Sequence, residues 1–94
     1  MGKDSVKYQL IIFDERVWRR DVGRVPKKQL DRIVERIRLL QFWSVSASVD
    51  VKTLQHYDSA DFRLRVGAYR VLFNKDDERG EIHLLRVLHR SKLY

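Results

Sequence analysis

FRLRVGAYRVLF, residues 62–73, consists of two five-residue runs on either side of Gly67 and Ala68. With those two residues as the loop of a hairpin, Val66 faces Tyr69, Arg65 faces Arg70 and Arg63 faces Leu72 across an antiparallel ladder. Alternation along each strand then sorts the side chains. One face holds Phe62, Leu64, Val66, Tyr69, Val71 and Phe73, an unbroken apolar surface that other elements must cover. The opposite face holds Arg63, Arg65 and Arg70. Like charges directly opposite on neighbouring strands are unfavourable, on the order of the ~0.2 to 1 kcal/mol that favourable cross-strand pairs contribute. Three guanidiniums kept on one side of a hairpin against that cost point to a use.

The rest of the chain supplies the cover. At 94 residues it is expected to form one domain, 1–94, with a modest core. VKYQLIIF, residues 6–13, reads as a first strand, and Asp14 is well placed to cap a short helix over residues 15–22 that Gly23 ends. Pro26 suits the first turn of a second helix, in which Leu30, Ile33, Val34, Ile37 and Leu40 repeat at the spacing of a core-facing stripe. Residues 49–54 are expected to add a short strand or lead into the sheet, and Phe42 and Trp43 read as packing residues rather than a base-stacking platform. After the polar turn NKDDERG, the run EIHLLRVLH (residues 81–89) is apolar at both parities, as in a strand buried on both sides. The fold class expected is α+β: a two-helix hairpin on one face of a small, largely antiparallel four-stranded sheet, in the order β-α-α-β-β-β.

Composition narrows the chemistry. The net charge of +7 favours nucleic acid or an acidic protein as partner. There is no cysteine, which excludes disulfides and thiolate nucleophiles. No apolar run approaches the roughly 18 residues of a membrane span, so a cytoplasmic protein without membrane contact is expected. His56, His83 and His89 lack metal-ligand spacing, Gly2, Gly23, Gly67 and Gly80 form no phosphate loop, and no serine elbow is present. Neither a metal nor a cofactor is therefore expected. What remains is the arginine face, which the helices should leave open, and the segment LHRSKLY, where His89, Arg90, Lys92 and Tyr94 follow the last strand and can converge with Arg70. Guanidiniums match phosphate oxygens in geometry and stay charged at physiological pH. Asp58 and Asp61 are close enough in sequence to neutralise only one or two of them.

The succession VKTL, FRLRVGAYRVLF, DDERG and IHLLRVLHRSKLY, preceded by a strand and by VPKKQLDRIVERIRLL, resembles the RelE/ParE superfamily of toxins from toxin-antitoxin modules. The resemblance covers nearly the whole chain; its specific part is the pair RLRVGAYRV and RVLHRSKLY. It implies a toxin held inactive by an antitoxin in a hetero-oligomer, whose RelE-type members cut mRNA in the ribosomal A site. In the alternatives it implies a ParE-like inhibitor of DNA gyrase, or an inactive relative that only binds its antitoxin. Under the RelE-type reading, Arg70 and Arg90 stabilise the transition state, Arg63, Arg65 and Lys92 bind RNA, and Tyr94 or His89 moves protons. Relatives often carry lysine at the positions of Arg63 and Arg65. Arginine does not deprotonate in proteins, so the base here is sought in Tyr94, His89 or Lys92. Leu88 and Ala68 also depart from the family, which frequently has glycine and an acidic residue there. The antitoxin is expected to bring acidic residues and an amphipathic helix to the arginine face.

Overall fold

In the computed structural model, which describes residues 7–43, 49–55 and 59–93, the hairpin forms as its alternation requires. Strand β3 (Phe62–Val66) pairs with β4 (Tyr69–Asp76) in the expected register, Val66 opposite Tyr69 and Arg65 opposite Arg70. Gly67 closes the loop at φ 59°, a left-handed conformation that a side chain would strain. Before the hairpin come β1 (Gln9–Ile12), α1 (Glu15–Val22), α2 (Lys27–Leu39) and β2 (Asp50–Thr53); after it come β5 (Glu81–His89) and a 3-10 turn at Arg90–Lys92.

The sheet has five strands in the order β1-β5-β4-β3-β2, and is mixed, because β1 runs parallel to β5. This corrects the expected count of four strands; the pairing is largely antiparallel, as expected, apart from β1 with β5. Residues 49–54 do contribute a strand, antiparallel to β3, and β1 occupies the far edge. The partner of β1 lies about seventy positions downstream, with Gln9 opposite Glu81, and no local pattern announces such a pairing.

The helices form where their ends are specified. The Asp14 side chain accepts the amides of Arg16 and Val17, satisfying donors that have no partner inside α1. Pro26 precedes the first residue of α2, where its fixed φ fits and its missing N–H is not needed. Helix α1 packs on β5 and α2 on β3. Ile33, Ile37 and Leu40 are buried against Leu64, Val66, Val71, Phe73, Ile82, Leu84 and Val87. Val34, expected in the core stripe, is exposed; the buried residues recur at 33, 37 and 40, and position 34 falls on the flank of that stripe. Trp43 stands edge-on to both Phe62 and Phe73, at 5.7 and 6.3 Å between ring centres, which confirms it as packing.

The other face of the sheet is not bare. Ala60, Leu72 and Leu93 are buried together there, with Leu54, Leu85 and Leu88 against them. A bulge makes this possible. Leu72 pairs with Arg86 while Phe73 pairs with Leu84, so Leu85 is an extra residue in β5. Before the bulge Ile82 and Leu84 face the helices, and after it Val87 does; Leu85 and Leu88 face the second cluster. That is the origin of the apolar residues at both parities of β5.

Candidate functional site

The candidate site is the face of β2, β3 and β4 that turns away from the helices. Cross-strand neighbours share a face, so the register sets its rows: Asp50, Arg65, Arg70 and Leu88 in one, Lys52, Arg63, Leu72 and Arg86 in the next. Arg65 and Arg70 do stand directly opposite each other. The like-charge cost is relieved by a residue the sequence reading did not assign. The Asp50 carboxylate takes Arg63 Nη1 at 3.1 Å and Arg65 Nε at 3.1 Å, one oxygen to each. Asp58, also expected near these arginines, lies outside the described residues, and the Asp61 amide donates to Asn74 Oδ1. The Arg63 guanidinium, hydrogen-bonded to Asp50, holds that carboxyl below its ordinary range, with Arg65 and Lys52 adding to the effect.

The three arginines therefore differ. The side chain of Arg63 is only 12% exposed and also bonds the Asp50 carbonyl, so it is built into the edge of the sheet. Arg65 is 55% exposed and keeps donors for a ligand. Arg70 donates from Nη1 to the carbonyls of Gly67 and Tyr69, at 2.9 and 3.0 Å, and so clasps the hairpin turn. Lys52, exposed opposite Arg63, was missed; the alternation in VDVKTL signals it once β2 is registered on β3.

The segment after β5 meets this region at the turn. The Arg90 amide donates to the Ala68 carbonyl at 2.7 Å, and Leu93 is buried on Leu72, so Arg90 is fixed beside the loop and its side chain is exposed. Tyr94 lies outside the described residues. His89 pairs with Tyr69, its ring edge-on to the tyrosine at 5.4 Å, and so belongs to the helix side of the sheet rather than to the face of Arg70. Its Nδ1 accepts the Ser91 amide and meets Ser91 Oγ at 2.9 Å, so in the neutral ring the proton is on Nε2. His89 and Lys92 line a cavity of about 370 Å³ together with Asp21, Arg24, Tyr69 and Arg86. The structure thus gathers Arg65, Arg70 and Arg90 at the hairpin turn and places His89 and Lys92 around the corner from them.

Two further groups escaped the sequence reading. Asp21, only 3% exposed, takes Arg86 Nε at 2.7 Å, Arg86 Nη2 at 3.0 Å and the Val87 amide at 3.0 Å. At the far end of the sheet, the ligand atoms of Asp76, Glu81 and His83 lie within 4.8 Å of one another. There Glu81 engages His83 at 2.9 Å and Asp76 accepts the Arg79 amide, so both carboxylates already serve the turn.

This fold, a two-helix hairpin over a five-stranded mixed sheet, is that of the RelE-type toxins. Solved structures carry the assignment. Over 90% of this chain and 100% of theirs, the RelBE2 toxin-antitoxin complex from Mycobacterium tuberculosis matches at a TM-score of 0.71 and 30% identity. The RelB-RelE antitoxin-toxin complex from Methanococcus jannaschii matches at 0.68 and 27%, over 89% of this chain and 95% of that one. The archaeal RelE-RelB complex from Pyrococcus horikoshii matches in fold at 0.72 and 24%, over 92% and 98%. No protein-family model matches the chain, and no curated protein sequence does. The chain belongs to the RelE family of toxins.

Proposed function

We propose that the protein is the toxin of a toxin-antitoxin module and acts as an endoribonuclease that cuts mRNA on the ribosome, in the A site, without a metal ion. RNA supplies its own nucleophile in the 2′-hydroxyl. The protein then has to hold the backbone in line and neutralise the charge that grows on the phosphorus. Arg65 lies across from Arg70 and can seat the RNA backbone, with Arg63 and Lys92 as further basic contacts. Arg70 and Arg90 stabilise the phosphorane, and of the two proton movers expected, Tyr94 and His89, the reading favours Tyr94, since His89 faces the helix side, away from Arg70; each transfer contributes about 10² to 10⁴-fold. The observation that carries this reading is the meeting of Arg65, Arg70 and Arg90 at one end of the sheet, brought about by the hairpin register and by the Arg90 to Ala68 hydrogen bond.

A cognate antitoxin is the expected partner in a hetero-oligomer, since the three solved structures described above are toxin-antitoxin complexes. With no helix among the described residues long and apolar enough to cross a membrane, a cytoplasmic site of action fits this reading.

The test is direct. Purified protein added to ribosomes carrying mRNA should cut the message in the A site in the presence of EDTA, and Arg70→Ala and Arg90→Ala should each remove the cut. Intact message with correctly folded protein would overturn the reading. Toxicity that survives both substitutions and arises through DNA damage would assign the chain to gyrase inhibition instead.

A further inference from the structure

The arginine face does not end at the edge of the sheet. Helix α2 runs past the hairpin turn closely enough that a Cβ on Gly67 would meet Gln29 Oε1 at 3.9 Å. One and two turns further on, Arg32 and Arg36 line a groove of about 250 Å³ whose other walls are Val49, Asp50, Arg65, Val66 and Gly67. Arg65 is a member of both the groove and the sheet face, which makes the two surfaces continuous. Arg32 and Arg36 have no carboxylate partner among the described residues. The groove thus holds three guanidiniums against one carboxylate, and that carboxylate is shared with a fourth, Arg63. An unbalanced positive charge in a polar concavity is a site for an anion.

We infer that this groove between α2 and the β2–β3 edge is a phosphate subsite, which takes a backbone phosphate of the same RNA strand beyond the one held at Arg70 and Arg90. The inference rests on the reading of the sheet face as an RNA surface. Arg32 and Arg36 are four residues apart on a helix, about 6 Å along its axis, so both can reach one bound group. Guanidiniums give paired donors that match phosphate oxygens. Among the described residues, Val49 and Val66 bring the only apolar side chains to the groove's lining, too few to seat the apolar side of a helix, which favours a phosphate backbone over an acidic peptide. The subsite would lengthen the RNA track round the sheet edge, so that strand position is fixed at the scissile phosphate and at a second phosphate beyond it.

The experiment measures binding apart from cleavage. A fluorescent single-stranded RNA, made non-cleavable with 2′-O-methyl groups, is titrated with wild type, Arg32→Gln/Arg36→Gln and the matched control Arg16→Gln/Arg20→Gln across a range of salt. Arg16 and Arg20 are exposed on α1, which packs over β5, away from the groove. The groove variant should lose roughly tenfold in affinity, the effect of one lost charge-assisted contact. Its log–log salt slope should shrink by about 0.7, the share of one single-strand phosphate. The control should change less in both respects. Equal losses in the two variants would reduce the effect to general basicity and overturn the inference. An unchanged RNA slope combined with lost affinity for polyglutamate would give the groove to an acidic protein partner and overturn it as well. If wild type cuts ribosomal mRNA yet the groove variant binds RNA as wild type does, only this inference falls. If wild type neither cuts nor binds RNA, the reading of the sheet face falls with it.

Discussion

The two faces of this sheet are written by alternate residues of the same strands, and they differ in nearly every physical respect. On the helix side, Leu64, Val66, Val71 and Phe73 are almost completely buried, and the Phe62–Phe73–Trp43 stack extends the packing to the edge. On the other side, Lys52, Arg65 and Arg70 surround a small apolar patch made by Leu72, Ala60 and Leu93. Stability is concentrated at one parity and charge at the other. A one-residue slip of register would exchange the two sets, so the hairpin register protects fold and site together.

That division can be broken from either side. The largest effect is expected from Phe73→Ala on the helix face, about 3 to 5 kcal/mol of lost stability, measured by urea unfolding. A loss under 1 kcal/mol would show that the face is less tightly packed than its burial indicates. Next is Arg90→Ala, expected to slow cleavage on ribosomes by about 10² to 10³-fold, or roughly 2.7 to 4 kcal/mol of transition-state stabilisation, while the unfolding midpoint stays put. A comparable loss of stability would move Arg90 from function to structure. Leu72→Ala tests the apolar patch beneath the charges. About 2 kcal/mol is expected, at the low end for a buried leucine because its cover is a short segment that can settle into the space.

The smallest effect concerns Asp50. Its folded pKa lies below the unfolded value of about 3.8, so its ion pairs add stability above that pH and lose it as pH falls through the depressed value. In acid titrations the gap between wild type and Asp50→Asn should close below pH 3.8. Because the side chain is 39% exposed, solvent and salt screen the pair, and the gap should also narrow at high ionic strength. A gap that persists at low pH would mean that the carboxylate charge is not what steadies Arg63 and Arg65.

Where a local rule operates, the chain could be read directly. The hairpin register, the Asp14 cap and the bounds of α1 and β5 all follow from period, capping and glycine placement, and the structure has them where expected. What escaped was non-local. The parallel pairing of β1 with β5 joins positions at opposite ends of the chain. Asp50 sits in a stretch of serines and valines whose strand character shows only once β3 is beside it. Nothing local in α1 marks Asp21 for burial, since its partners, Arg86 and the Val87 amide, lie more than sixty positions away in β5. Of the candidate site, Arg65 and Arg70 were singled out by both alternation and resemblance, and Arg90 by its place just after the last strand together with the resemblance. The side of the sheet on which His89 falls was not, since it depends on the bulge that resets the parity of β5.

Asp21 has a consequence for how molecules of this protein meet one another. Strand β1 stops at Ile12, its last contact being the Phe13 amide on the Leu84 carbonyl, so β5 would otherwise show a bare flank from there onward. The Asp21 carboxylate accepts the Val87 amide on that flank and is itself clamped by Arg86. A single side chain thereby stands in for a missing strand. A strand from a second molecule could add here only by pushing a buried anion aside and separating it from its guanidinium, which closes this stretch to the edge-to-edge growth that leads to aggregates.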